Sequence, residues 1–452
     1  MPEMLTMMAW MVPLAGALLV RVVGDKVPPR SIAVAAALAA LVCSLPGASL
    51  DALSHFAMVL YAGLTVVVLV AAPKKDSTVG EQAGTLLILA GTLAVYATDN
   101  LAVLVGGWIV SMLPLWVKPK ESMASWLVPR LMLGVGTVAL GGAVVLIAME
   151  AQSSGIADVM SISALQGVKI IDNPAVYGLI LLAILTRKGV VPFQSWLPAM
   201  CEQGSLLQAG LFVNGHLGAF LVARLVVPLL PNLGQDGLAP ISILALVTAA
   251  YTSLLALTER RPRRLVGLLL LSQSSFILAG VESGTQEGFA GALLFWLVVS
   301  LSTTVLFVVL RALEARLGGW LRTEDYLGLG MRAPRLAAFF VVAAVAVVGM
   351  PGTLGFAAED LLLHGTLESH RWVGLILPFA TAMNAFSLLR LFARLFLGRY
   401  ERMVPAIPDA LPRERWVLTA CLLVLVGLGV MPQAAMIFAQ AKSTALHAML
   451  HR

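Results

Sequence analysis

The sequence is dominated by apolar runs, each about as long as a helix that crosses a membrane. Such a helix needs about 20 mainly apolar residues, and about 14 stretches of this kind follow one another along the 452 residues. They lie near 4–20, 31–49, 56–72, 82–98, 100–117, 126–149, 174–190, 205–228, 239–257, 264–282, 287–311, 334–366, 372–397 and 415–432. These runs are longer than the roughly ten-residue strands of a β-barrel, and charged residues make up only 12% of the chain. The sequence therefore predicts an all-α polytopic membrane protein.

Lysine and arginine gather in alternate loops, which predicts how the chain crosses the membrane. Loops 50–55, 229–238 and 283–286, which follow even-numbered stretches, contain none. The loops after odd-numbered stretches hold the basic clusters. Arg21, Lys26 and Arg30 follow stretch one, Lys74 and Lys75 follow stretch three, and Lys118 and Lys120 follow stretch five. Arg260, Arg261, Arg263 and Arg264 follow stretch nine, Arg316 and Arg322 follow stretch eleven, and Arg399, Arg402, Arg413 and Arg415 follow stretch thirteen. Because basic loops stay in the cytoplasm, both termini are expected outside it, in a bacterial inner membrane. Loops of this kind bind anionic lipid, so the formal net charge of +6 does not imply nucleic acid.

The seventh stretch ends in a basic pair beside a predicted helix break. Arg187 and Lys188 are followed by Pro192 and Pro198, and a proline removes a backbone donor and blocks the preceding helical turn. Irregular backbone is tolerated in a bilayer only where protein buries it or water reaches it. With His216 midway along the next stretch, these cations suggest a buried ion path. The alternative is that both cations simply extend to the headgroups.

The twelfth stretch contains a second predicted break. It includes GMPGTLGFAAEDLLL, in which Pro351 and Gly352 precede Glu359 and Asp360. Interruptions at corresponding places in two halves indicate a transporter site. Stretches four to eight and nine to thirteen enter from opposite sides, and each set is interrupted in its fourth member. We therefore expect two inverted five-helix repeats. The predicted divisions are 1–80, 81–230, 236–400 and 401–452.

Three motifs carry a family resemblance. RKGVVPFQSWLPAM resembles the signature of the antiporter-like membrane subunits of respiratory complex I and of multi-subunit Na+/H+ antiporters. GMPGTLGFAAEDLLL resembles a second motif of one complex I subunit, whose proton-path acid corresponds to Glu359. LLQAGLFVNGHLGAFLVARL is more similar to the DabB-type subunits of inorganic-carbon-accumulating complexes, with Gln208 in a histidine position. The resemblance places the family lysine at Arg187, next to Lys188, and places His216 where some relatives have lysine.

Proton transfer through a membrane requires groups that gain and lose protons at modest energy. Lys188, His216, Glu359 and Asp360 can do this, whereas Arg187 keeps its proton and acts as a fixed charge. Other polar residues of the stretches could line a pore or hold helices together. These are Gln208, Ser272, Gln273, Thr303, His364, which lies four residues after Asp360 and could pair with it, and Arg390, which could extend toward the cytoplasm.

Two departures from the family pattern argue against a continuous proton path. Ile109 follows Trp108 where the resemblance implies glutamate. In the eleventh stretch, Phe295, Val299 and Thr303 replace two histidines and a lysine. The remaining charges could form a shorter path, or the protein could be a scaffold.

The resemblance implies a proton-conducting membrane subunit that couples proton flux to a partner, here a DabA-type, soluble, carbonic-anhydrase-like zinc protein that serves inorganic carbon accumulation. One alternative is a pumping subunit of a complex I-like NADH dehydrogenase or of a cation/proton antiporter assembly. Another is a non-conducting scaffold. We expect no enzyme activity of the chain alone and no cofactor or metal, because Cys43, Cys201 and Cys421 lack metal-site spacing.

Overall fold

The computed structural model describes residues 2–46, 51–116, 123–166, 173–319, 321, 326–398 and 407–450. These residues are almost entirely helical, which confirms the all-α prediction. Five of the residues that supported the predicted orientation lie outside the described ranges, namely Lys118, Lys120, Arg322, Arg399 and Arg402.

Three helices precede the first repeat-like set. They are α1 (Pro2–Val23), α2 (Pro29–Ser44) and α3 (Ala52–Ala71). Alanines on α2 pack in the core, whereas Leu38 and Val42 are exposed on the same helix. An apolar side chain that is exposed on a membrane helix faces lipid, so this pattern places α2 at the edge of the bundle.

The next set of helices is interrupted in its fourth member, as the sequence predicts. The set consists of α4 (Val79–Ala97), α5 (Leu101–Trp116), α6 (Met123–Ser153), the short α7 (Ile162–Leu165), the pair α8 (Pro174–Lys188) and α9 (Trp196–Gln203), and α10 (Leu206–Asn214), α11 (Leu217–Leu221) and α12 (Val227–Leu229). α8 ends because Gly189 adopts a left-handed conformation, with φ of 66°, and because the two prolines follow.

A second set repeats this order. It consists of α13 (Pro231–Thr258), α14 (Pro262–Glu282), α15 (Gln286–Leu317), the pair α16 (Pro334–Val347) and α17 (Leu354–Ser369), and α18 (Ile376–Phe396). Gly349 and Gly352, with φ of 65° and 90°, lie in the interruption between α16 and α17. Two sets of five members, each divided in its fourth member, agree with the predicted repeat architecture.

The eighth predicted stretch is not the continuous helix that we expected. It divides into α10 and α11 at Gly215 and His216, and a π-helical turn over Val222–Val226 joins α11 to α12. His216 has φ of 42°, which a histidine rarely adopts and which stops α10. Holding a residue other than glycine in this left-handed conformation costs about 1–3 kcal/mol, and residues held in this way concentrate at functional sites.

The chain ends in α19 (Pro412–Val430) and α20 (Pro432–Leu450), which meet at a bend of 88°. Within the described residues, nine helices are long and apolar enough to cross a membrane, or ten if this bent pair forms one span. This finding supports a multi-pass membrane protein but does not confirm the count of 14, because several stretches are shorter helices or pairs of pieces. α14 is buried along its whole length and α15 over most of its length, so these two helices form the centre of the bundle.

Candidate functional site: buried polar groups beside interrupted helices

The last turn of α8 brings two cations into the protein interior. Arg187 and Lys188 are both buried, where they face the carbonyl end of α8 and so interact favourably with its dipole. Gly189 follows them, and a side chain there would be strained by the positive φ and would lie 2.7 Å from a side-chain atom of Leu271. The break therefore requires glycine at this position.

Arg187 is stabilised by aromatic rings and a hydroxyl group. Its guanidinium donates to Ser111 Oγ at 2.9 Å and lies 4.3 Å from the ring centroid of Trp108 and 4.0 Å from that of Phe212. Cation–π contacts of this kind are strongest where water is excluded. Ile109 stands where the resemblance implied a carboxylate, and the rings and Ser111 solvate the charge instead.

Lys188 and His216 contact each other across two helix interruptions. Nζ of Lys188 lies 3.2 Å from Nδ1 of His216, and the two residues are 2% and 1% exposed. The ammonium group donates to Nδ1 when that nitrogen carries no proton. The His216 ring also packs edge-on against Trp296, and its Nε2 has no hydrogen-bond partner among the described residues. The structure thus joins two titratable groups that the sequence analysis selected.

Glu282 is a buried carboxylate that the sequence analysis missed. It ends α14, is 1% exposed and interacts electrostatically with Lys188. Neither of its oxygens has a hydrogen-bond partner in the described part of the chain. In the sequence it closes an apolar stretch and resembles the first residue of a loop. The one available signal was that the loop after it, 283–286, holds no lysine or arginine to pair with it.

Two of the predicted pore residues hold helices together. Gln208 Nε2 donates to the main-chain carbonyl of Glu81 on α4 at 2.8 Å. Thr303 on α15 bonds Asn214 at the end of α10, with 3.0 Å between the Asn214 amide nitrogen and the Thr303 hydroxyl. Thr303 therefore offers a hydroxyl where the resemblance implied a lysine.

Polar side chains continue through the centre of α14. The Ser272 hydroxyl donates to the carbonyl of Ala249 at 2.9 Å and accepts from Asn384 Nδ2 on α18 at 2.8 Å. Gln273, which is fully buried, has neither a donor nor an acceptor partner for its amide within the described ranges. Buried amides without partners are rare and costly, so this part of the bundle is a candidate hydrated region.

Glu359 lies at the second break. Its half-buried carboxylate accepts a hydrogen bond from the Thr381 hydroxyl on α18 and packs against Gly349. Thr381, Asn384 and Ser387 follow one another at three-residue spacing, so that neighbours in this row share a helix surface. α18 thus connects Glu359 to Ser272 and the centre of α14.

The remaining predicted residues lie away from this interior. Asp360 and His364 are exposed, and His364 Nδ1 lies 2.8 Å from the carbonyl oxygen of Asp360. The Arg390 guanidinium donates to the carbonyls of Ala256 and Glu259 at 2.9 and 2.8 Å, which caps the end of α13. The structure therefore separates Glu359 from Asp360, its neighbour in sequence.

One end of the bundle carries ion pairs that the sequence analysis did not anticipate, although it counted Arg263 as a loop charge. Arg263 forms a two-point contact with Glu314, at 2.7 and 2.6 Å, with both side chains almost fully buried. Arg311 binds Asp76 in the same two-point manner, at 2.9 and 2.6 Å. These pairs join α14, α15 and the segment before α4, and we assign them a structural role.

The family model described as NADH:quinone oxidoreductase/Mrp antiporter, TM matches residues 102–384. Among similar curated proteins, NADH-quinone oxidoreductase subunit M of Rickettsia conorii is 27% identical over 263 residues, which are 56% of this chain and 52% of that protein. Subunit M of Mycobacterium tuberculosis is 30% identical over 267 residues, 58% of this chain and 48% of that protein. The chain thus matches about half the length of these relatives.

Two solved structures have the same fold over nearly the whole chain. A chain of respiratory complex I from Thermus thermophilus has a TM-score of 0.86 and 23% identity, and the match covers 98% of this chain and 99% of that one. A chain of the Mrp complex from a Dietzia species has a TM-score of 0.84 and 18% identity, with 99% and 97% covered. At these identities the likeness establishes the fold.

Proposed function

Because the chain belongs to the family described as NADH:quinone oxidoreductase/Mrp antiporter, TM, we propose that it is a proton-conducting, antiporter-like membrane subunit. The observation that supports this most directly is the contact between Lys188 and His216 at 3.2 Å inside the bundle. Each side chain can hold or release a proton, and a proton on one changes the energy of a proton on the other. Two such groups beside interrupted helices match the general design of transporter sites.

In the proposed transfer, a proton passes between Lys188 and His216. An N–H bond of the ammonium group breaks while a new N–H bond forms on Nδ1, which leaves a neutral amine and an imidazolium. The imidazolium then releases the proton carried by its other nitrogen, Nε2, to a water molecule, so that an N–H bond breaks, a hydronium O–H bond forms and the imidazole becomes neutral. Arg187 keeps its charge and disfavours a second proton nearby. At the other end of the path we place Glu359, with polar groups between the two ends contributed by Ser272, Gln273, Asn384 and Thr381.

We expect the subunit to work inside a larger membrane complex, as a translocase component and not as an enzyme alone. The matched relatives are named as subunits, and the matched structures are chains of complex I and of an Mrp complex. The expected location is a bacterial inner membrane with both termini outside the cytoplasm. The divisions 81–230 and 236–400 would then each hold one break and one end of the path.

The identity of the partner forms the finer part of the proposal. The resemblance of residues 206–225 to DabB-type subunits supports a soluble zinc protein and inorganic carbon accumulation. The relatives named as subunit M support the alternative, a complex I-like or antiporter assembly. Copurification from native membranes separates the two: a large zinc protein supports the first, and redox or antiporter subunits support the second.

The test is proton flux in membrane vesicles that contain the chain with its native partner subunits. An imposed potassium gradient with an ionophore drives the flux, and a pH-sensitive dye inside the vesicles reports it. Lys188→Ala and His216→Ala should lower the flux about tenfold or more, because positioned proton-transfer groups contribute about 10²–10⁴-fold. Lys75→Ala, at an exposed lysine, is the control. Unchanged flux in both variants, with the complex intact, would instead support the scaffold.

A further inference from the structure

Glu282 is the least explained charged side chain of the interior. It is 1% exposed, and its two carboxylate oxygens find no hydrogen bond or ion pair within the described residues. Burying an ion costs several kcal/mol unless partners offset the lost hydration. A structural role would require bonds to neighbouring groups, as Glu314 has to Arg263. Among the described residues Glu282 has no such bond, so its burial calls for another reason.

Two ionisable side chains of α8, a lysine and a tyrosine, lie within electrostatic range of Glu282. It interacts electrostatically with Lys188 and with Tyr177, both on α8. The Tyr177 hydroxyl is buried and has no hydrogen-bond partner in the part of the chain described here. α14 packs against both α8 and α11. Glu282 therefore ends a helix that packs against the helices of both members of the Lys188–His216 contact, and its carboxylate acts on Lys188 through space without a hydrogen bond.

Tyr177 and Lys188 lie at different levels along the axis of α8. Tyr177 and Lys188 are eleven residues apart, or about 16 Å along the helix axis. Helical side chains lean toward the N-terminus of their helix, so the Lys188 side chain leans toward Tyr177. The N-terminal end of α8 is the end that the loop charges predict to be non-cytoplasmic.

We propose that Glu282 is the carboxylate that exchanges a proton with Lys188 and carries it toward the N-terminal end of α8. It would thereby supply, from α14, the acid that is missing at position 109 of α5. This inference rests on the proposed proton conduction. In the step, an N–H bond of the Lys188 ammonium group breaks and an O–H bond forms on a Glu282 oxygen, which leaves a neutral amine and a neutral carboxylic acid. Intervening water relays the proton, each molecule accepting one proton and releasing another.

The experiment uses the same vesicles and compares Glu282→Gln with Glu287→Gln. Glutamine keeps the size and polarity of the side chain but cannot carry the proton, and Glu287 is an exposed acid five positions later. We expect Glu282→Gln to lower proton flux about tenfold or more, with Glu287→Gln unchanged. Glu282→Asp, which restores a carboxylate, should recover part of the flux. Assembly of the complex is measured alongside and should be retained.

Two outcomes overturn the inference in distinguishable ways. If Lys188→Ala lowers flux and Glu282→Gln does not, the proposed function stands and Glu282 is not on the path. If neither variant changes flux, the proposed function fails, and the inference with it. Should Glu282→Gln not assemble, the double variant Lys188→Ala/Glu282→Gln removes both charges together. Its flux should equal that of Lys188→Ala, and a further loss in assembled complex would contradict a shared step.

Discussion

The aliphatic part of Lys188 lies directly against Gly218, two residues after His216. A methyl group at Gly218 would lie 2.4 Å from Cγ of Lys188 and 3.0 Å from its Cδ. The absence of a side chain on α11 therefore sets the path of the lysine, and the break at His216 brings Gly218 to this point. The position of the ammonium group therefore depends on a glycine that carries no polar group itself.

Gly218→Ala should consequently impair proton flux while leaving every titratable residue in place. The overlap forces Lys188 away from His216, and overpacking of this kind costs about 1–3 kcal/mol. We expect flux to fall about tenfold, with a small decrease in thermal stability. Gly178→Ala, on α8, is the control, because a methyl group there meets no described atom within 4 Å. Full flux in assembled Gly218→Ala vesicles would show that the position of Lys188 does not matter.

The sequence predicts the breaks after Lys188 and in the twelfth stretch because their causes are local. Proline and glycine act on their own turn of backbone, whatever the surroundings. The break at Gly215 and His216 has no such signal. His216 is held in a left-handed conformation beside Lys188 and Trp296, which come from other helices. A residue held by tertiary contacts cannot be identified from its own segment.

The site residues likewise divide into those that the local sequence identifies and those whose role depends on how the helices pack. Residue type and hydrophobic surroundings selected Lys188, His216 and Glu359. They kept both Glu359 and Asp360 on the predicted path, although the two residues face different environments in the structure, and they missed Glu282. Gln208 is a polar residue of the kind that can line a pore. In the structure, however, it donates to a carbonyl of α4 that is 127 positions away. Partners at such distances in sequence depend on how the helices pack.

Glu359 and Asp360 should respond differently to removal of charge. Asp360→Asn acts on an exposed group paired with an exposed histidine, and such pairs contribute about 0–1 kcal/mol. We expect neither flux nor stability to change. Glu359→Gln removes a half-buried carboxylate at the break and should lower vesicle flux about tenfold or more. Equal loss in both variants would place Asp360 on the path and contradict the separation that the structure shows.

The buried pair of Arg263 and Glu314 should matter for stability more than for transport. Removing Arg263 leaves the buried Glu314 carboxylate with the longer contact to Arg311, at 3.6 Å, and breaking a buried ion pair costs about 3–5 kcal/mol. Arg263→Ala should therefore lower the thermal unfolding temperature of the purified complex and its yield. Arg335→Ala is the comparison, because that arginine is exposed and lies 3.9 Å from Asp409. An unchanged unfolding temperature in Arg263→Ala would refute the structural role.

The hydroxyl of Thr381 provides the sharpest test of the path near Glu359. Thr381→Val preserves the shape of the side chain but removes the donor that the Glu359 carboxylate accepts from. Losing one hydrogen bond to a charged group costs about 1.5–3 kcal/mol, so the carboxylate should bind its proton more readily and release it more slowly. We expect proton flux to fall about tenfold. The fall should be largest under conditions in which release of the proton from Glu359 limits the flux. Thr366→Val on α17 is the matched control, since that buried hydroxyl donates to the carbonyls of Leu362 and Leu363 on its own helix. If both variants conduct equally, the contact between Thr381 and Glu359 serves packing and the path does not run along α18.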